Sequence, residues 1–259
     1  MPKISKNRIK QLVAFKQKKI RDEKNIFIAE GEKIVSELLN ANLQIISIVA
    51  TKDWIESESR ISHKPVELLE ANSEELKRLS CMTTPNKVIA YAEIPELLFD
   101  ITKLDNKLTL VLDEIQDPGN LGTIIRISDW FGIEYVICSE NSVELYNPKV
   151  LQSTMGAFLR VKVFYLNLDE FLREAKNKLK LPIFGAFLKG KNVYTTSLPS
   201  SGIIILGNES KGISKSIESI IDEKLTIPSF NLNPERIDSL NVSVATAIIC
   251  SEFKRYTLK

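Results

Sequence analysis

Short apolar runs alternate with amphipathic stretches along the whole chain, and the period of each stretch predicts an element. Ile9, Leu12, Val13 and Ile20 mark a cationic helix over 6–21. A strand follows at 25–29, then a helix with Ile34, Val35, Leu38 and Leu39 at helical spacing. Residues 43–50 read as a strand. Ser73 is a suitable N-cap for a helix through Leu79, with Glu74 and Glu75 in its first turn. Residues 87–92 close this first group as a strand. Residues 96–106 have mixed polarity and read as a linker.

The second group opens with Leu108-Thr109-Leu110-Val111-Leu112-Asp113, an almost wholly apolar run of the kind buried on both faces of a parallel sheet. Helices are predicted at 121–131, 148–158, 169–179 and 214–220, and from Asn241 onward. Strands are predicted at 134–138, 161–165, 182–187, 203–206 and 224–227. Strands alternating with helices imply a parallel sheet covered by helices. The organisation expected is an α/β domain at 1–95, a linker at 96–106 and a larger α/β domain at 107–259.

A chain of 259 residues can form two domains of ordinary size. Its net charge is only +2, yet residues 1–24 carry nine cations against two acids. A basic arm on an otherwise mildly acidic protein points to a polyanion, with Lys6, Arg8, Lys10, Lys16 and Arg21 as the expected contacts. The alternative is a solvated basic helix. No apolar run approaches the ~20 residues of a membrane span, so no membrane partner is expected. Cys81, Cys138 and Cys250 are far apart and form no Cys-x-x-Cys pair. No metal site or disulfide framework is therefore expected, and a reducing cytoplasm fits. The single histidine, His63, sits in a polar loop. Triad hydrolysis and histidine acid–base chemistry thus lack parts in the second half.

Three polar loops there are candidates for chemistry. Asp117-Pro118-Gly119-Asn120-Leu121-Gly122, with Arg126 behind it, leaves a buried strand and enters a helix, where free N–H groups face an anion. Gly207-Asn208-Glu209-Ser210-Lys211-Gly212 follows the strand at 203–206. Ser239-Leu240-Asn241-Val242-Ser243-Val244-Ala245 begins the last helix, with Ser239 and Asn241 both suited to N-capping. Capping leaves Asn241 spare hydrogen-bonding capacity. Neither Gly-x-Gly-x-x-Gly nor a phosphate-loop Gly-Lys-Ser/Thr ending is present, which argues against a dehydrogenase-like nucleotide enzyme.

In this order the loops resemble the three signature motifs of the SpoU/TrmH-type RNA ribose 2′-O-methyltransferases, in the SPOUT superfamily. Phe27-Ile28-Ala29-Glu30-Gly31 looks like the signature of the ribosomal-protein-like substrate-binding domain that precedes the catalytic domain in many members. The resemblance implies a parallel-sheet domain with a deep trefoil knot, a homodimer with the site at the subunit interface, and S-adenosylmethionine as cofactor. It assigns catalysis to Arg126, Asn120, Glu209, Ser239 and Asn241. It assigns cofactor contacts to Gly207, Ile227 and Leu240, and places Thr154 and Gly156, in Ser153-Thr154-Met155-Gly156-Ala157, close to the cofactor. The implied target is a ribose hydroxyl of structured RNA, ribosomal rather than transfer RNA. A transfer-RNA enzyme or an inactive RNA-binding relative are the alternatives. One departure stands out. The family's third motif usually runs from Ile-Pro-Met through a short glycine-containing turn to Ser-Leu-Asn, whereas here Ile227-Pro228 leads into a longer turn over 229–238.

Overall fold

The computed structural model describes residues 2–63, 65–231 and 239–255, with the side chains of Ser62 and His63 excepted. The chain packs as two compact units. Unit 1 is Met1–Leu97 with Tyr146–Leu159, and unit 2 is Leu98–Leu145 with Arg160–Lys259.

Unit 1 contains α1 (Lys6–Ala14), α2 (Lys18–Lys24), β1 (Ile26–Glu30), α3 (Glu32–Asn40), β2 (Ile45–Ala50), α4 (Lys52–Ser57), β3 (Glu67–Glu70), α5 (Ser73–Leu79) and β4 (Val88–Glu93). Its sheet runs β1-β4-β2-β3, antiparallel at β1/β4 and β2/β4 and parallel at β2/β3. The expected helix over 6–21 is two helices. Its break is capped from within: Arg21, 5% exposed, donates to the carbonyls of Phe15 (3.1 Å) and Lys16 (3.0 Å). The N-cap of α5 is Asn72 rather than Ser73, because Asn72 and Glu75 close a reciprocal capping box. Residues 52–57 and 67–70, not expected as elements, are α4 and β3. Thr51 caps α4, whose Trp54 is buried.

Glu30, 3% exposed, accepts from the Ser80 hydroxyl (2.6 Å) and the Cys81 N–H (2.6 Å). It ties the end of β1 to the end of α5. Removing it takes the acceptor from the half-buried Cys81 N–H and leaves the buried Ser80 hydroxyl only a long contact to the Met82 carbonyl (3.4 Å). Glu30→Ala is therefore expected to cost about 2–3 kcal/mol, read as a lower urea midpoint with an unchanged slope.

Tyr146–Leu159 joins unit 1 through α7 (Pro148–Thr154) and a 3-10 turn at Ala157–Leu159. The helix expected over 148–158 ends early because Met155 is left-handed (φ 52°). Phe27 of β1 meets the rings of Tyr146 (5.0 Å between centroids) and Phe158 (5.8 Å, edge-on).

Unit 2 contains β5 (Leu108–Leu112), α6 (Pro118–Trp130), β6 (Tyr135–Ser139), β7 (Lys162–Leu166), α8 (Leu168–Lys178), β8 (Ile183–Asn192), β9 (Gly202–Leu206), α9 (Lys215–Glu218), β10 (Glu223–Thr226) and α10 (Val242–Arg255). Its six strands are all parallel, in the order β10-β8-β9-β5-β6-β7. β5 and β9 are buried throughout, as their apolar runs require. Of the expected linker, Ile101 and Leu104 form a 3-10 turn and belong to the core of this unit.

The strand order fixes where a site can form. From β5 the chain builds outward through β6 and β7, and β8, β9 and β10 then lie on the other side of β5. The reversal falls between β5 and β9. In an open parallel sheet the loops leaving the carboxyl ends of such a pair diverge and open a crevice. Those loops are Asp113–Asp117 and Gly207–Gly212.

Candidate functional site

An open cleft of about 760 Å³ lies at that crevice, lined by residues 116–118, Asn120, residues 208–211 and Asn241. All belong to unit 2.

Each loop is held by its own short-range chemistry. Asp117 caps α6 by accepting the Asn120 N–H (2.8 Å), with Pro118 at the first helical position. This starts α6 three residues earlier than expected and places Asn120 in its first turn. Asn208 folds the second loop: its Oδ1 accepts the N–H groups of Ser210 (2.9 Å) and Lys211 (3.1 Å), and its Nδ2 donates to the Glu114 carbonyl (2.8 Å). Glu114 is left-handed (φ 56°), and its N–H donates to the Ser139 hydroxyl. Asn241 caps α10, its Oδ1 accepting from Ser243 N–H (2.9 Å) and Ser243 Oγ (2.6 Å).

The three loops meet at one side chain. Asn120 Nδ2 donates to Glu209 Oε1 (2.7 Å), and Asn120 Oδ1 accepts from Asn241 Nδ2 (2.9 Å). These partners fix which way the Asn120 amide points, since a flipped amide would set its carbonyl against a carboxylate and its NH₂ against another donor. The Asn241 amide caps a helix with its oxygen and reaches Asn120 with its nitrogen, using the capacity that capping leaves spare.

The other expected residues fall in three groups. Gly207, Ile227, Ser239 and Leu240 stand at the ends of β9 and β10 and just before α10; Ser239 and Leu240 are exposed. Arg126 is exposed on α6, does not line the cleft, and forms no hydrogen bond or ion pair among the described residues. Six residues on from Asn120, it lies about 120° round the helix from it. Thr154 and Gly156 are in unit 1. The Thr154 hydroxyl donates to the Leu151 carbonyl (2.7 Å), and Gly156 (φ 94°) lies against Glu37, so both have a structural task there.

Among the expected RNA contacts, Lys6, Lys10 and Lys16 are exposed. Arg8 is half-buried, ion-paired with Glu67 and bonded to Gln11. Arg21 corrects the expectation: its guanidinium is buried as an internal cap and offers no free cation to a ligand. The signal lay in its place just past the end of α1, where orphan carbonyls need donors. Burial also settles the cysteines. Desolvation, with Glu30 nearby as the smaller cause, pushes the half-buried Cys81 thiol up to about 11. Burial raises Cys250 to about 12, and Cys138 is raised as well. None is poised as a nucleophile. The side chain of His63 and the turn residues 232–238 lie outside the described residues. No helix among the described residues is long and apolar enough to cross a membrane.

Comparison with known proteins agrees with this geometry. Residues 107–251 match the SpoU rRNA Methylase family, and residues 6–90 match an MRM3-like substrate binding domain. A 23S rRNA (guanosine(2553)-2′-O)-methyltransferase, RlmP of Bacillus subtilis, is 29% identical over 90% of each chain. A solved TrmH-family protein from Porphyromonas gingivalis superposes with a TM-score of 0.85 at 36% identity, covering 98% of this chain and 99% of the other. An AdoMet-bound rRNA methyltransferase from Sinorhizobium meliloti shares the fold, with a TM-score of 0.83 at 24% identity over 100% and 98%. A parallel sheet whose three motif loops converge on Asn120, matched over more than half its length by one family, leaves a single assignment: the chain belongs to the SpoU rRNA methylase family.

Proposed function

We propose that this protein is an S-adenosylmethionine-dependent RNA methyltransferase that methylates a ribose 2′-hydroxyl of structured ribosomal RNA in the cytoplasm, working as a homodimer. The observation that carries the reading is the chain of bonds Asn241–Asn120–Glu209 at the switch point of the sheet. It joins all three motifs in a cleft whose volume lies within the range of small-molecule sites.

The residues fit the cofactor. Gly207 and Ile227 directly follow two strands on the same side of β5, and Leu240, just before α10, offers a half-exposed apolar side chain. Their backbone groups are the proposed cofactor contacts. The bound cofactor supplies a methyl group on a positively charged sulfur. The protein's share is alignment and a path for the hydroxyl proton. Glu209, Asn120, Ser239 and Asn241 hold the ribose and fix its hydroxyl. Arg126 binds the adjacent phosphate with its planar fork and polarises that hydroxyl. In this role it acts by charge and geometry.

Two features support the dimer. Arg126 does not line the cleft of its own chain, and Trp130 on α6 (85% exposed), Val244 on α10 (47%) and Leu240 just before α10 (48%) are exposed apolar side chains. A second copy over these side chains would bring Arg126 to an interface. The trefoil knot expected of unit 2 belongs to the same reading. Unit 1 is the proposed RNA-binding domain, with the exposed Lys6, Lys10 and Lys16 among its contacts. Replacing all three by Ala is expected to reduce the slope of log affinity for ribosomal RNA against log salt by about 2, measured by filter binding, with cofactor affinity unchanged.

Calorimetric titration with S-adenosylmethionine and S-adenosylhomocysteine tests the reading. Micromolar binding of both is expected. No binding of either, with RNA affinity retained, would mean an inactive RNA-binding relative or a cofactor pocket that forms only once RNA is bound.

A further inference from the structure

The cleft needs a cation, and its lining supplies one. Among its residues Asp117 and Glu209 are acids and Lys211 is the base. Glu114, beside it, adds another carboxylate. An acidic cleft repels a polyanion, yet under the proposed function an RNA strand must lie in it. Arg126 does not line it.

Lys211 is built to serve here. Its backbone is fixed, because its N–H is taken by Asn208 Oδ1 (3.1 Å). Its side chain is 73% exposed and makes one ion pair, Nζ to Glu114 Oε2 at 3.2 Å. That distance is long for a charge-assisted hydrogen bond, and exposed pairs of this kind contribute little to stability. The partner carboxylate, in contrast, stands on a fixed backbone. The left-handed Glu114 backbone is pinned by Ser139 and Asn208, and its side chain is only 30% exposed. An acid on a fixed backbone thus keeps an exposed ammonium at the rim, one residue beyond Ser210 and two beyond Glu209. A phosphate bearing a full charge would outcompete that loose pairing.

We infer that Lys211 is a phosphate-positioning residue of the cleft: it leaves Glu114 for an RNA phosphate and so seats the ribose against Asn120 and Glu209. This rests on the proposed RNA methyltransferase function. A ribose within a strand is flanked by a phosphate on each side, so Lys211 and Arg126 need not compete for one.

The test compares wild type, Lys211→Ala, Lys211→Arg and Glu114→Gln on large-subunit ribosomal RNA transcribed in vitro. Binding is measured over a salt series, then methyl transfer, with cofactor affinity followed by calorimetry. Lys211→Ala is expected to weaken RNA binding about tenfold, the loss of one charge-assisted contact. Its salt slope should fall by about 0.7–0.9, one phosphate contact. KM for RNA should rise with kcat nearly unchanged. Lys211→Arg should restore most of the affinity, and Glu114→Gln, which frees the ammonium, should tighten binding. An unchanged slope in Lys211→Ala overturns the inference. So does a selective loss of cofactor affinity, which would assign Lys211 to the cofactor carboxylate. The binding arm needs no turnover. A wild type that binds RNA but transfers no methyl group would therefore sink the enzymatic reading, while the slope still decides the role of Lys211.

Discussion

Arg126→Ala is expected to abolish methyl transfer while leaving the protein as stable as before. Arg126 is exposed and has no hydrogen-bond or ion-pair partner among the described residues, so its loss should move stability by no more than about 0.5 kcal/mol. Its proposed work appears only with RNA in place. Removing a charged group aimed at the reacting centre typically costs about 10²–10³ in rate, and here the same group also seats the phosphate. A fall of about 10³ or more in kcat/KM is therefore expected, with the affinity for S-adenosylmethionine within about twofold of wild type. Arg126→Lys should recover little, because a point charge does not reproduce a bidentate fork. Single-turnover transfer, calorimetry and thermal unfolding of the two variants check this. A variant that turns over appreciably removes Arg126 from the mechanism.

Gly207→Ala is expected to act through the backbone. A Cβ at Gly207 would lie 2.3 Å from the carbonyl carbon of Gly212 and 2.3 Å from the nitrogen of Ile213. Both are main-chain atoms of a loop closed on itself by Asn208 N–H to Gly212 O (3.1 Å) and Gly212 N–H to Asn208 O (2.9 Å). No side-chain rotation relieves that clash, so the loop has to open. Opening it moves Asn208 and Glu209 and breaks the 2.7 Å bond to Asn120. The strain should cost about 1–3 kcal/mol, which a domain of this size survives, as circular dichroism should show. Cofactor affinity should nonetheless fall at least about a hundredfold, and transfer with it. Wild-type affinity in this variant would mean that the loop does not hold the cofactor.

The loops that meet at Asn120 are marked in the sequence by the elements that flank them. Asn120, Glu209 and Asn241 are far apart in the chain, yet each follows an apolar strand or opens a helix. A parallel sheet gathers such loops at one end. What the pattern did not carry is the detail set by tertiary partners. Arg21 reads as one more surface cation until α1 ends and leaves carbonyls for it to cap. The apolar run begins only at Leu121, so periodicity starts α6 too late, although Asp117-Pro118 is an N-terminal signature. The left-handed Glu114, which anchors Asn208 and faces Lys211, has no local signal at all. Its conformation is imposed by Ser139 and Asn208, the latter 94 residues away. The placement of Tyr146–Leu159 in unit 1 is likewise invisible to periodicity, since α7 is apolar on the same spacing whichever unit it covers.

The most direct test of the proposed function is methyl transfer itself. Ribosomal RNA from cells lacking the protein is incubated with the pure enzyme and labelled S-adenosylmethionine, then hydrolysed with alkali. A methyl group on a 2′-oxygen blocks cleavage at its own linkage, so the label is expected in an alkali-resistant dinucleotide at one position of ribosomal RNA. Label released in single nucleotides would place the methyl group on a base and contradict the ribose assignment. No label in ribosomal RNA, with transfer RNA labelled instead, would contradict the assigned substrate.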